Sequence, residues 1–464
     1  MTPSVLERRL GPLDAAAIIV SNVIGGGILF TPPQVAALVP HAGLFLLTWV
    51  AGGALAFAGA MAYAELAALR PRAGGEYVYL REAFGERAAF LTGWTSFVAG
   101  FSGAIATSAV VMVFYLGRFV PALTSGGPWL VLPVVPGAIS LTFSPQTITA
   151  LAIIAAMAWL HRRGIGPGRV VGDLLAALKV TAFALFIAVG FALGSGTLTH
   201  LSEQAPIAAG SWLLALIPVM FTYSGWNAAA YVAEEIRDPG RNVPRALAIG
   251  TAAVVVVYLL MNVLYLYVIP ARELAAVDRS VLDVIADRLL GGYAGNIMGI
   301  VSVISLAASI SAMTLAGPRV YYSMGRDGLF FRRVAAVHPR YRTPSAAIIA
   351  QAAWSSVLVL SATADALVTY TGFAIVLFSG MAVVALFVLR RRQPDAPRPF
   401  RAWGYPVAPA IYAVASFAIL VNGLYRAPAA TGTGALIIAA GLPIYFAFRR
   451  RSAIGRPPAA PEGS

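Results

Sequence analysis

One lysine occurs in the whole chain, Lys179, inside the otherwise apolar stretch GDLLAALKVTAFALF. It lies ten residues beyond Arg169. In a helix that places it roughly 15 Å deep, near the centre of a bilayer. Its stem is too short to reach an interface from there, and a buried ammonium needs acceptors. Ser302, Ser305 and Ser309 offer hydroxyls at helical spacing further along the chain. An intramembrane cation marks a functional site by default. Pinning helices together is the plainer role, and pinning a mobile helix is itself a way to gate.

Two further segments carry polar chemistry. SNVIGGGILFTPP (21–33) has three successive glycines, 25–27, in mid-span. Each glycine costs a helix about 1 kcal/mol relative to alanine. Small residues favour close helix contacts in membranes, but three in a row exceed that need, so a break is expected. FTYSGWNAAAYVAEE (221–235) clusters Ser224, Gly225 and Asn227, again poor helix formers. A broken helix exposes N–H groups at its positive end and carbonyls at its negative end. One kind of end suits a carboxylate and the other an ammonium, which together describe a free α-amino acid.

Length and composition decide which elements carry these residues. The chain has 464 residues, of which 59% are hydrophobic and 11% charged. Its mean hydropathy is +0.79. A soluble domain carries about 25% charge, so a soluble multidomain chain is excluded, and so is disorder. The pattern implies an all-α polytopic membrane protein. Twelve apolar spans are expected: 14–38, 42–69, 89–117, 145–162, 170–195, 207–233, 243–269, 293–322, 344–362, 366–390, 405–425 and 431–448. The breaks fall in the first and sixth spans. Matching interruptions in two halves indicate an inverted repeat of five helices each. Residues 14–195 form the first repeat, 207–390 the second, and 405–448 two added helices. No credible strand is expected, even in the proline-rich stretch 121–144. GGEYVYLREAFGE (74–86) suits a short helix on the inner face. Residues 271–292 read as a helical outer loop with Val281, Val284, Ile285 and Leu289 on one side.

With the N-terminus inside, the inner segments hold 27 Lys and Arg and the outer segments five. That bias places both termini, 1–13 and the disordered tail 449–464, in the cytoplasm of a cell membrane. It also explains the net charge of +14 without nucleic acid. Glu65, Glu234 and Glu235 are expected to pair with nearby Arg70, Arg72 or Arg237. There are no cysteines and four scattered histidines, so no disulfide, thiolate site or metal-ligand spacing exists. No carboxylate pair, phosphate loop or Ser–His–Asp order stands out, and neither an enzyme nor a cofactor is expected.

At IGGGIL, AGGEYVYLREAFG, FTYSGWNAAAYVAEEIRDPGRNVPRAL and YYSMGRDGLF the chain resembles the amino acid–polyamine–organocation superfamily. Within it, the chain is most similar to bacterial relatives of L-type amino acid transporters. The resemblance implies a LeuT-like five-plus-five repeat, alternating access and no ATP hydrolysis. It implies that carbonyls near Val23 and Ile24, with those of Phe221 and Ser224, take a substrate ammonium. It implies that the Gly26 and Gly27 N–H groups take the carboxylate. The substrate-binding set is thus Val23, Ile24, Gly25, Gly26, Gly27, Phe221, Tyr223, Ser224 and Gly225. Phe221 resembles an aromatic gate. Lys179, with Ser305 and Ser309, resembles the lysine that replaces a sodium ion. Gly26 stands where many relatives have Ser, and Ser224 where many have Gly. The cysteine through which animal relatives join a heavy chain is missing, so no such partner is expected.

A secondary amino acid transporter, by sodium-independent exchange or proton-coupled uptake, is the leading reading. A polyamine or other cation transporter would want carboxylates facing the pocket, and neither break carries one. A channel would want a continuous polar lining. Side-chain selectivity is expected from the walls near Ser102, Gly103 and Ala104.

Overall fold

In lipid every backbone polar group needs a partner within the protein, which leaves helices as the economical way for so apolar a chain to cross. The computed structural model describes residues 6–135, 139–194, 196–278, 280–291, 294–361 and 364–454. The chain begins with α1 (Pro12–Val23), α2 (Gly26–Leu38), α3 (Ala42–Leu69), α4 (Glu76–Phe84), α5 (Glu86–Thr95), α6 (Phe101–Gly117), α7 (Pro145–Arg162) and α8 (Ile165–Leu193). Then come α9 (Ser211–Tyr223), α10 (Ala228–Tyr231), α11 (Pro239–Val268), α12 (Ala271–Ala275), α13 (Val281–Leu290), α14 (Ala294–Arg326), α15 (Ser345–Leu360) and α16 (Ala364–Arg392). The chain closes with α17 (Val407–Arg426), α18 (Pro428–Ala439) and α19 (Gly441–Ile454).

Among the described residues, eight helical segments are long and apolar enough to cross a membrane, and the bent pair α1–α2 makes a ninth. The protein is therefore a multi-pass membrane protein. The other three expected stretches also hold helices: α7, α9 with α10, and α15. They are shorter or, for α7, have polar ends at Gln146, Thr147, His161 and Arg162. The expected disordered tail lies mostly outside the described residues.

Three expectations change. The stretch 121–144 contains an antiparallel hairpin, β1 (Leu130–Val135) with β2 (Ile139–Phe143), pairing Leu130 with Phe143 and Leu132 with Leu141. Its β-branched residues suit a strand, and the register is irregular between Pro133 and Val135, where a proline is tolerated. The short helix α4 is anchored in the bundle along one side, while Arg81, Glu82 and Phe84 stay partly exposed. Tyr77, Tyr79 and Leu80 are fully buried, and α4 packs on α5 and α16. The acidic residues pair over long range, not with neighbours. Glu65 binds Arg390 (2.6 and 2.8 Å), Arg398 (3.2 Å) and the Ala402 N–H. Glu234 binds Arg326 at 3.2 Å, and Glu235 binds Arg319 at 2.8 and 3.0 Å. Sequence proximity lost because helix ends from distant segments meet at one arginine-bearing end of the bundle. By contrast, the loop 271–292 is helical as expected, and α13 packs against α2, α11 and α14.

The central helix is α14, in which every residue from Ser305 to Gly325 is buried. Next to it the first and sixth segments are tied together. The Arg9 and Leu10 N–H groups both donate to the Glu235 carbonyl, and Arg237 N–H donates to the Leu10 carbonyl. The Glu235–Arg319 pair below this joint is wholly buried. Removing one partner leaves the other charge buried and unpaired, which costs about 3–5 kcal/mol. Arg319→Ala should therefore lower the melting temperature in detergent sharply. Arg9→Ala, whose partner Glu7 is solvent-exposed, should leave it within the effect of a surface pair. Equal melting of the two variants would contradict this ranking.

Candidate functional site

Both expected interruptions fall between helices. α1 ends at Val23 and α2 starts at Gly26, with a bend of 47° between them. α9 ends at Tyr223, and Ser224 to Asn227 form a turn before α10. Gly225 has φ +100°, which L side chains rarely adopt. A Cβ there would also meet the Asn22 Nδ2 at 2.5 Å. Both breaks expected from sequence are present.

The carbonyls freed at the first break are satisfied by side chains from three other helices. Lys179 on α8 donates to the Ser21 carbonyl (3.0 Å), to the Ile24 carbonyl and to Ser309 Oγ (3.2 Å). Ser309 donates to the Ser21 carbonyl at 2.8 Å, and Ser305 to the Ile24 carbonyl at 3.3 Å. Lys179 is fully buried. Of the three serines weighed, Ser302 alone makes no hydrogen bond through its hydroxyl. Tyr258 on α11 had no sequence signal. Its hydroxyl donates to the Val23 carbonyl at 2.7 Å and stands 3.2 Å from the Thr222 carbonyl. One phenol proton thus stands between the ends of both broken helices. Asn22 Nδ2 also donates to the Gly225 carbonyl at 3.4 Å.

The named site residues divide accordingly. The Val23 carbonyl takes one donor, Tyr258, and keeps a second lone pair, whereas the Ile24 carbonyl already accepts from Lys179, Ser305 and Ser309. Gly25 lies against Ser309. The Gly26 and Gly27 N–H groups head α2 and carry no hydrogen bond within the described residues. A Cβ on Gly26 would meet nothing within 4 Å, so this residue faces open space. A Cβ on Gly27 would stand 3.1 Å from the Thr222 Cα, so glycine there permits contact between the two breaks. Phe221 and Ser224 are partly exposed, and the Ser224 N–H donates to the Phe221 carbonyl at 2.9 Å. Tyr223 is wholly buried between Trp49 and Tyr258, its hydroxyl on the Trp49 carbonyl, and belongs to the framework. Beyond α5 a π-helical turn, Ser96–Gly100, leads into the expected wall residues. Tyr321 and Trp354 donate to its Ser96 and Val98 carbonyls at 3.1 and 2.9 Å. Among the described residues no cluster of His, Asp and Glu could hold a metal.

Sequence reading also missed Glu76, at the start of α4. Its carboxylate accepts from Tyr63 (2.6 Å) and from the Asn227 amide (2.7 Å), and Asn227 also donates to Tyr231 at 3.1 Å. Among the described residues no arginine, lysine or histidine forms an ion pair with it. Burial pushes its carboxyl from 4.5 up to about 7, although the hydrogen bonds from Tyr63, Asn227 and Tyr231 pull it down. The signal available in sequence was only the GGEY run.

The protein is thus a polytopic helical membrane protein in which the bent pair α1–α2 meets the interrupted stretch α9–α10. The chain belongs to the amino acid permease family, which matches residues 10–448. It is 30% identical over 451 residues to human "Large neutral amino acids transporter small subunit 2", covering 95% of this chain and 80% of that one. It is likewise 30% identical to mouse "Asc-type amino acid transporter 1", covering 95% and 81%. To "Serine/threonine exchanger SteT" of Bacillus subtilis it is 28% identical, covering 97% and 98%.

Two outcomes follow from the site. Gly26→Val should fold normally and abolish substrate binding by filling the open space, whereas Gly27→Val should also lower the melting temperature by parting the breaks. Substrate binding by a well-folded Gly26→Val would remove this space from the site. For Glu76, a folded value above the unfolded one means stability present below about pH 4.5 and lost as pH rises through about 7. Glu76→Gln keeps an acceptor but cannot ionise. Between pH 4.5 and 8 its melting temperature should fall less than that of the wild type; parallel curves would show that Glu76 does not titrate there.

Proposed function

We propose that this protein is a secondary transporter of free amino acids, working by alternating access and by sodium-independent exchange or proton-coupled uptake. The observation that carries it is the juxtaposition of two helix breaks whose backbone ends are complementary to an α-amino acid. At one side stand the free N–H groups of Gly26 and Gly27 at the positive end of α2. They take the carboxylate. Nearby are the carbonyls of Val23, Phe221 and Ser224, at the negative ends of α1 and α9, which take the ammonium, while that of Ile24 is held by Lys179 and the serines of α14. Phe221 closes over the substrate. The names of the relatives, all amino acid transporters or exchangers, support the same reading and favour it over a polyamine carrier.

In this reading the twelve helical stretches are twelve spans, the first ten forming a five-plus-five inverted repeat, with both termini in the cytoplasm. Lys179 stands as a fixed cation where a sodium ion would otherwise neutralise the carbonyl cluster. It joins α8 to α1, and Ser309 brings in α14. These helices have to part and re-form their contacts when the site changes sides. With no cysteine the chain has no means of a disulfide-linked partner. No enzymatic step is assigned to it.

Uptake into proteoliposomes preloaded with unlabelled amino acid tests the proposal. Labelled amino acid should enter equally with and without sodium, and N-acetylated or esterified analogues should not compete. Lys179→Ala leaves its acceptors unpaired, at about 1–3 kcal/mol, and should depress uptake at least tenfold with a smaller effect on folding. Sodium-dependent uptake, or full activity in Lys179→Ala, would remove the lysine from the mechanism. Absence of uptake for every amino acid offered would overturn the function.

A further inference from the structure

A second concave site opens at the arginine-bearing end of the bundle. It has a volume of about 760 Å³ and sits between the N-terminal segment, the first turns of α11 and the connection from α16 to α17. Arg8, Arg241 and Arg245 line it, all three solvent-exposed and, among the described residues, none in an ion pair or hydrogen bond through its side chain. Neighbouring arginines are engaged elsewhere: Arg9 with Glu7, Arg237 with the Arg9 carbonyl, Arg398 with Glu65. Asp238 is the one acidic residue in the lining. Three arginines against one aspartate leave two net positive charges.

The other walls are apolar. Phe400 and Trp403 form part of the lining, and the Trp403 ring lies 6.4 Å from Phe57 of α3 while remaining 58% exposed. From this mouth three uncovered apolar faces run along the bundle. Val407, Ile411, Val414 and Phe417 form an exposed stripe on α17. Ile249, Val256 and Leu260 do so on α11, and Leu47 and Val50 on α3, against which both α11 and α17 pack. A cationic mouth with an interfacial tryptophan, opening onto continuous apolar helix faces, matches one chemistry. That chemistry is a phosphate headgroup joined to hydrocarbon chains.

We propose that this pocket binds an anionic phospholipid. Arg241 and Arg245 hold the phosphate diester, Arg8 closes over it from the N-terminal segment, and Asp238 accepts a headgroup hydroxyl. The acyl chains lie on the outward faces of α3, α11 and α17. A soluble phosphate would meet the same arginines but gain nothing from the apolar faces, and a zwitterionic lipid would bring a choline cation among the arginines. The occupied site would tie the segment before α1 to the start of α11.

The test is native mass spectrometry of the detergent-solubilised full chain, titrated with phosphatidylglycerol or phosphatidylcholine. Binding is read directly, so the result is independent of whether the protein transports amino acids. Wild type should retain one phosphatidylglycerol more tightly than phosphatidylcholine. Arg241→Gln/Arg245→Gln should weaken that binding by about 30-fold, the contribution of two surface arginines. Arg332→Gln/Arg333→Gln removes the same charge from an exposed turn elsewhere and should leave it unchanged. Should the first double variant not fold, Arg8→Gln, on a segment outside any helix, should alone weaken binding about fivefold. Soluble glycerol phosphate should not displace the lipid. Equal losses in the two double variants, equal retention of the two lipids, or displacement by glycerol phosphate would each overturn the assignment.

Discussion

Everything at the centre of this protein depends on how carbonyls released from a helix are satisfied without water. A membrane interior allows no open backbone. At the first break the chain answers with its single lysine, two serines and a tyrosine, all from helices other than the broken one. The break is thus an intersection, where α1, α8, α11 and α14 meet through hydrogen bonds to the same few carbonyls. Because the partners are side chains, the bonds can be exchanged as helices shift.

The second break is held differently. Its main chain turns through Gly225, and its contacts run to the first break and to α4. Asn22 donates to the Gly225 carbonyl, and Asn227 donates to Glu76, which also receives the Tyr63 hydroxyl. Tyr258 stands between the two breaks. The gap between the breaks is therefore framed by polar groups that already have partners, with the α2 N-terminus left open at Gly26 and Gly27.

Charge follows the same economy. Acids and arginines are paired at one end, where buried Glu65 and Glu235 and part-exposed Glu234 each hold an arginine from a distant helix. These pairs lock segments whose ends converge. The arginines of the pocket beside α11 stand apart from that network, with Asp238 as the acidic residue beside them.

Composition alone determined that this chain lives in a bilayer, because an 11% charged chain cannot cover a water-facing surface. The sequence also located both breaks, since glycine runs are local departures from helix propensity that nothing else in an apolar span compensates. It singled out Lys179 and the hydroxyls of α14, because a lone cation among apolar residues has to be met by something. Only the tertiary structure decided who meets whom. Tyr258, Asn22 and Glu76 are ordinary residues in ordinary stretches until folding brings them to the breaks. The acids' partners lay more than 80 positions away in sequence, and the hairpin formed where prolines argued for bare loop. Local pattern reports what a segment cannot satisfy by itself; the identity of the group that satisfies it is a property of packing.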